Sequence, residues 1–186
     1  MTRVWLVRHG AASAHWGEHL DPGLSPQGRS DAAAAADLLA GAGPMPVVSS
    51  PLVRTRQTAE VIAAAWSVGV VVEPAVTEVP SPTQDLAGRH RWLVDLLGGT
   101  WATQPAPLWK WRRELVAFVC SLAEPTVVVT HAVAINTVLA QATGDDRVFT
   151  EAVAPGSVTV VDVDPGGEAP MVVVAVGALD GAARLW

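Results

Sequence analysis

Four apolar residues, Val4, Trp5, Leu6 and Val7, run without polar interruption and end abruptly in Arg8, His9 and Gly10. An unbroken apolar run of this length predicts a strand covered on both faces, as in a parallel sheet, because a half-exposed strand would alternate. Such a strand does not end in a cation and an imidazole without consequence, since a buried charge needs a partner. Gly10 adds a permissive backbone where the chain must turn sharply or a ligand must approach. The expectation is an anion pocket at the tip of the first strand, with His9 inside it. Taken alone, the tripeptide fits a snorkelling arginine beside an incidental histidine equally well.

The rest of the chain alternates strands and helices. A polar loop over residues 11–22 carries His15, Trp16, His19 and Asp21. A helix follows, with Ser25 as N-cap, Pro26 at its first position, and Gly41 and Gly43 at its end. Residues 46–49 form a second strand. Ser50 and Pro51 open a second helix that carries Arg54 in its first turn. A cation there opposes the helix dipole unless an anion binds beside it. Residues 68–72 form a third strand, and residues 73–88 an irregular, proline-punctuated connection holding Glu78 and Asp85. Helices are expected within 86–97 and, from the spacing of Leu108, Trp111, Leu115, Phe118 and Leu122, over the following segment. Residues 126–130 form a fourth strand that also ends in a histidine, His131, and a helix follows it. Residues 158–163 and 171–176 pair about a turn at Pro165. The pattern predicts an α/β fold, a three-layer α/β/α sandwich with a mostly parallel sheet. It occupies one domain, 1–186, with a short insertion around 78–107.

Ligands in open parallel sheets collect beyond the carboxyl ends of the strands. Arg8, His9, Arg54, Glu78 and His131 all fall at that edge by topology. Composition narrows the ligand. The 186 residues carry a formal net charge of −6, which disfavours nucleic acid and acidic membrane surfaces as partners. An anion site must therefore be built from a few convergent cations. The single Cys120 suits a reducing compartment. With no signal-peptide core and no run of about 18 apolar residues, a soluble cytoplasmic protein is expected. No GxGxxG or GxxxxGK[ST] loop speaks for a nucleotide-binding module.

Leu6-Val-Arg-His-Gly10, Leu24-Ser-Pro-Gln-Gly28, Ser49-Ser-Pro-Leu-Val-Arg-Thr-Arg-Gln-Thr-Ala59 and Val128-Val-Thr-His131 occur in that order. Together they resemble the histidine phosphatase superfamily, the phosphoglycerate mutase-like fold. The resemblance implies that His9 is the nucleophile and forms a phosphohistidine, while Arg8, Arg54 and His131 surround the phosphoryl oxygens. Glu78 would be the general acid, with Glu73 and Asp85 as alternatives. His15 stands where members carry a phosphate-contacting Asn, and Ala132 where a Gly often follows the second histidine, so both are candidate phosphate-binding residues. His131 is expected to act protonated. His19 and His90 read as surface residues.

The resemblance requires no metal or other cofactor, and no metal-ligand cluster is evident in the sequence. The substrate is expected to be a small phosphomonoester, with substrate identity and oligomeric state left open. Hydrolysis is favoured over a mutase-type phosphotransfer, a protein-phosphohistidine phosphatase or a silent phosphate-binding module. The mutases use a longer, cation-rich segment between the positions of Arg54 and His131. Trp92 and Trp101 lie in segments expected to cover the pocket and to favour an apolar or ring-bearing leaving group.

Overall fold

The computed structural model describes residues 1–15, 17–164 and 171–179. Six strands, β1 (Thr2–Arg8), β2 (Val47–Ser49), β3 (Val70–Val72), β4 (Thr126–Thr130), β5 (Val158–Val163) and β6 (Met171–Ala178), form one sheet. Their spatial order is β3-β2-β4-β1-β5-β6. The contacts β3–β2, β2–β4 and β4–β1 are parallel, and β5 runs antiparallel to β1 and β6. The sheet is thus mostly parallel. The expected turn at Pro165 lies outside the described residues.

Both faces are covered, which is why β1 and β4 are continuously apolar. Trp5, Val7, Val127 and Val129 pack with residues of α1 (Pro26–Leu39) and α2 (Val53–Trp66). Val4, Leu6 and Val128 point the other way. They meet α4 (Ala106–Ser121) and α5 (Ala132–Thr143), with Leu96 of α3 (Leu86–Leu97) at the margin.

Ser25 caps α1 as expected, accepting the Gly28 N–H, with Pro26 in the first turn. Ser25 also donates its hydroxyl to the Ala11 carbonyl. A Cβ built at Gly10 would collide with the Gly28 carbonyl, and one at Gly28 with that of Ala11. The two glycines exist for this close passage of the loop after β1 over the start of α1, which corrects the expectation that Gly10 serves a turn or a ligand.

Two boundaries differ from the sequence reading. Helix α2 begins at Val53 with Leu52 at the capping position, because the Ser50 hydroxyl is engaged elsewhere. The cap comes instead from Asp21, whose Oδ1 accepts the Val53 N–H at 2.9 Å. Strand β3 begins at Val70 rather than Val68, since the Val68 N–H closes the end of α2 on the Ala63 carbonyl. Trp101 is fully buried, stacked on Trp111 with the Arg112 guanidinium 4.7 Å from its ring centroid. It belongs to the core beneath α4 and does not cover a pocket.

Candidate active site

The site follows from strand register. β1 and β4 are parallel neighbours with Arg8 opposite Thr130, so His9 and His131 leave the sheet side by side. The His9 N–H donates to the Thr130 carbonyl at 3.0 Å, and the two rings meet edge to face with centroids 5.2 Å apart. β2, on the other side of β4, ends level with them, and α2 springs from it carrying Arg54. The Gln-Thr-Ala that follows on α2 ties the site together. Gln57 Oε1 accepts the Leu24 N–H, Thr58 Oγ1 accepts the Gly10 N–H, and Ala59 is buried against the sheet.

His9 Nδ1 lies 2.7 Å from the Gly10 carbonyl, which can only accept, so Nδ1 carries the proton and Nε2 presents its lone pair. Arg54 Nε donates to that Nε2 at 3.1 Å. Burial and the nearby guanidiniums of Arg54 and Arg8 push the imidazole pKa down to about 3. His9 is therefore neutral at physiological pH, as a nitrogen nucleophile must be. Arg8 donates from Nη1 to the Val153 carbonyl at 2.6 Å, and its Nε is buried without a partner among the described residues. An orphaned buried donor is unfavourable unless a ligand satisfies it.

Glu78 Oε2 sits 3.5 Å from Arg54 Nη2 and 3.3 Å from His131 Nδ1. Its pKa is raised because loss of water outweighs the attraction of Arg54 and Arg8 and the hydrogen bond from the Val79 N–H. A raised pKa favours the protonated form, from which a carboxyl can act as an acid. Glu73 and Asp85, the alternatives, are occupied as caps of the Ala75 and Gly88 N–H groups.

His131 is fully buried behind Arg54 and Glu78. Arg54 Nη2 can only donate, so its 3.2 Å contact makes Nδ1 an acceptor, and Nε2–H donates to Ser50 Oγ at 2.8 Å. Burial, then Arg54, His9 and Arg8, hold the ring well below its ordinary pKa. In this ligand-free arrangement His131 is neutral; the protonated form expected from sequence is one that acts on a bound phosphoryl group.

A cavity of about 390 Å³ opens over these groups, lined by Arg8, His9, Arg54, Glu78 and Ala132 at its base. His15, His19 and Arg89 also line it, together with Leu93 and Leu97 of α3. Trp92 is not on the wall. Ser50 and Asp21 were not anticipated as site residues. Ser50 orients His131, and Asp21 Oδ1 stands 3.7 Å from Arg54 Nη1 while it caps α2. Among the described residues, no group of three or more metal-ligating side chains is assembled. No helix among them is long and apolar enough to cross a membrane.

Residues 4–91 match the family model of the histidine phosphatase superfamily, branch 1. The solved structures most informative about the fold span nearly the whole chain. Bacillus stearothermophilus YhfR superposes with a TM-score of 0.77 at 19% identity, covering 97% of this chain and 99% of its own. A mycobacterial glucosyl-3-phosphoglycerate phosphatase, complexed with VO3, gives 0.72 at 22%, covering 96% and 100%. A phosphoserine phosphatase mutant from Entamoeba histolytica, complexed with phosphoserine, gives 0.72 at 20%, covering 98% and 100%. No curated protein matches the chain by sequence. Two of these three neighbours are named phosphatases, and at such identities the likeness establishes the shared fold.

Proposed function

We propose that this chain is a metal-independent phosphatase that hydrolyses a small phosphomonoester through a phosphohistidine on His9 Nε2. One observation carries the reading. The Nδ1–H bond to Gly10 leaves His9 with a lone pair on Nε2, at a cavity that also holds two arginines and the Glu78 carboxyl, whose pKa burial raises. Arg8 and Arg54 supply permanent charge to the phosphoryl oxygens. The Nε2 lone pair attacks phosphorus, the P–O ester bond breaks, and Glu78 gives its proton to the departing alkoxide. A water then attacks the phosphohistidine, Glu78 takes its proton back, the N–P bond breaks and phosphate leaves with His9 neutral again. A phosphoryl dianion held by Arg54 would shift the His131 pKa upward through space, favouring its protonated form. Among the described lining residues Arg89 is the single cation beyond this cluster, which supports hydrolysis over a mutase that must seat a second phosphate.

The direct test is rapid quenching of a labelled phosphomonoester reaction in excess EDTA. A burst of base-stable, acid-labile phosphoprotein is expected before steady phosphate release. Release without that burst, or release abolished by EDTA, overturns the mechanism.

Glu78→Gln removes the proton donor while preserving shape. Turnover of alkyl phosphates is expected to fall about 10²–10⁴-fold, and turnover of an activated aryl phosphate far less, because a good leaving group needs no proton. The sign of the pH effect follows from the raised pKa. The acid works while protonated, so wild-type kcat falls as pH rises through the Glu78 pKa, and that limb disappears in Glu78→Gln. A wild-type-like profile in the variant would exclude Glu78.

A further inference from the structure

Beyond the phosphate end, the cavity changes character. Arg89, Leu93 and Leu97 recur at intervals of four on α3, so one helical face carries a cation at one end and two leucines further along, and all three line the cavity. Leu20, Val133 and Phe149 add apolar surface to the same cavity. The cation acts at the phosphate end, where Arg89 depresses the pKa of Arg54 as a like charge nearby. Apart from Arg89 and the phosphate-site cluster, the lining offers only the imidazoles of His15 and His19 as polar side chains. Among the described lining residues there is no Ser, Thr, Asn, Gln, Lys or Asp.

A polyol or amino-acid leaving group enclosed here would exchange water for walls that return few hydrogen bonds, whereas an apolar one would be desolvated favourably. Leu93 and Leu97 are only partly buried, packing on the edge of the core while also lining the cavity, whereas Leu96 of the same helix is fully consumed by the core.

Taking the site as a phosphomonoesterase, we infer that its substrate is the phosphate ester of a compact apolar alcohol. The alcohol is seated against Leu93 and Leu97 of α3, with Leu20, Val133 and Phe149 adding apolar surface. α3 is thus the specificity element, and Arg89 belongs to the phosphate and not to the alcohol.

The test is a ladder of straight-chain alkyl phosphates from ethyl to hexyl, with glycerol 1-phosphate as the hydroxylated match to propyl phosphate. The alkyl leaving groups are alike in basicity, so changes along the ladder report binding of the chain. We expect kcat/KM to rise about fourfold per methylene until the cavity is filled, following the transfer free energy of a buried CH₂. Propyl phosphate should exceed glycerol 1-phosphate at least about tenfold. The slope should flatten in Leu93→Asn/Leu97→Asn, with binding of inorganic phosphate verifying that the variant is folded. A flat or falling ladder, or preference for glycerol 1-phosphate, with ethyl phosphate still hydrolysed, overturns the inference and leaves the phosphatase reading standing. An unchanged slope in the folded variant overturns the assignment to α3. No release from any alkyl ester overturns the phosphatase reading itself.

Discussion

Replacing His9 by alanine is expected to reduce phosphate release about 10⁴-fold or more on every substrate, activated or not, while the protein still binds inorganic phosphate. The size of the loss follows from the kind of group removed. A nucleophile that forms a covalent intermediate has no substitute in the pocket, and what survives its removal is the catalysis that binding and charge give to a direct attack by water. His131 cannot stand in, since its ring is fully buried with Nε2 given to Ser50 and Nδ1 facing Arg54 and Glu78. Arg8 and Arg54 remain, so isothermal titration with phosphate should give a Kd within about tenfold of wild type. The combination separates a nucleophile from a binding residue. Loss of turnover and binding together would make His9 a phosphate ligand only, and retained turnover would remove it from the mechanism. An activated ester adds a second distinction from Glu78, because the His9 variant loses it whereas Glu78→Gln largely keeps it.

What the amino-acid sequence reveals about this site is decided by how far apart the cooperating residues are. Arg8-His9 and His131 are legible because each ends an apolar strand, and parallel topology carries both strand ends to one edge. Arg54 is legible because a cation in a helix's first turn asks for an anion. The motif Gln-Thr-Ala is recognisable, but its physical meaning is tertiary. Gln57 holds Leu24 and Thr58 holds Gly10, contacts across 33 and 48 residues.

Ser50 shows the limit of local rules. Ser-Pro at a strand end reads as an N-cap, and a nearby histidine 81 positions away claims the hydroxyl instead. Asp21, 32 residues from Val53, then supplies the cap, and no local pattern announces it. Trp101 was misplaced for a related reason. A large aromatic in a loop suits a lid as well as a core, and only the packing of Trp111 and Arg112 against it decides. Among the three acids that follow β3, Glu73, Glu78 and Asp85, position in sequence does not discriminate. The difference is that Glu73 and Asp85 satisfy backbone N–H groups at the starts of their own turns, while Glu78 reaches the cluster around Arg54.

Arg54→Met should cause the largest loss short of the nucleophile, about 10³–10⁵-fold in kcat/KM, together with loss of phosphate affinity. Arg54 is 4% exposed, and its guanidinium reaches four other groups of the site. Its Nε reaches His9, its Nη2 reaches His131 and Glu78, and its Nη1 faces Asp21. Methionine keeps the bulk and removes the fork. Arg54→Lys is expected to recover little, because one ammonium cannot reproduce the planar fork that holds two phosphoryl oxygens at once.

The stability effect should have the opposite sign. Desolvation lowers the Arg54 pKa despite the opposing pull of Glu78 and Asp21, so the folded protein disfavours this charge. The like charges of Arg8 and Arg89 crowd the same pocket, and Glu78, with its raised pKa, gives up little as a counter-ion. Arg54→Met is therefore expected to melt at or above the wild-type temperature without ligand, and to lose the stabilisation that saturating phosphate gives the wild type. A residue that merely braced the fold would do the reverse, lowering the melting temperature with turnover falling only in proportion to unfolded protein. A substantial drop in melting temperature, with phosphate still bound by the folded fraction, would show that Arg54 is structural. The charge is then expected to be kept for the phosphoryl group alone, its unfavourable burial being offset only when a dianion arrives between Arg8, Arg54 and His9.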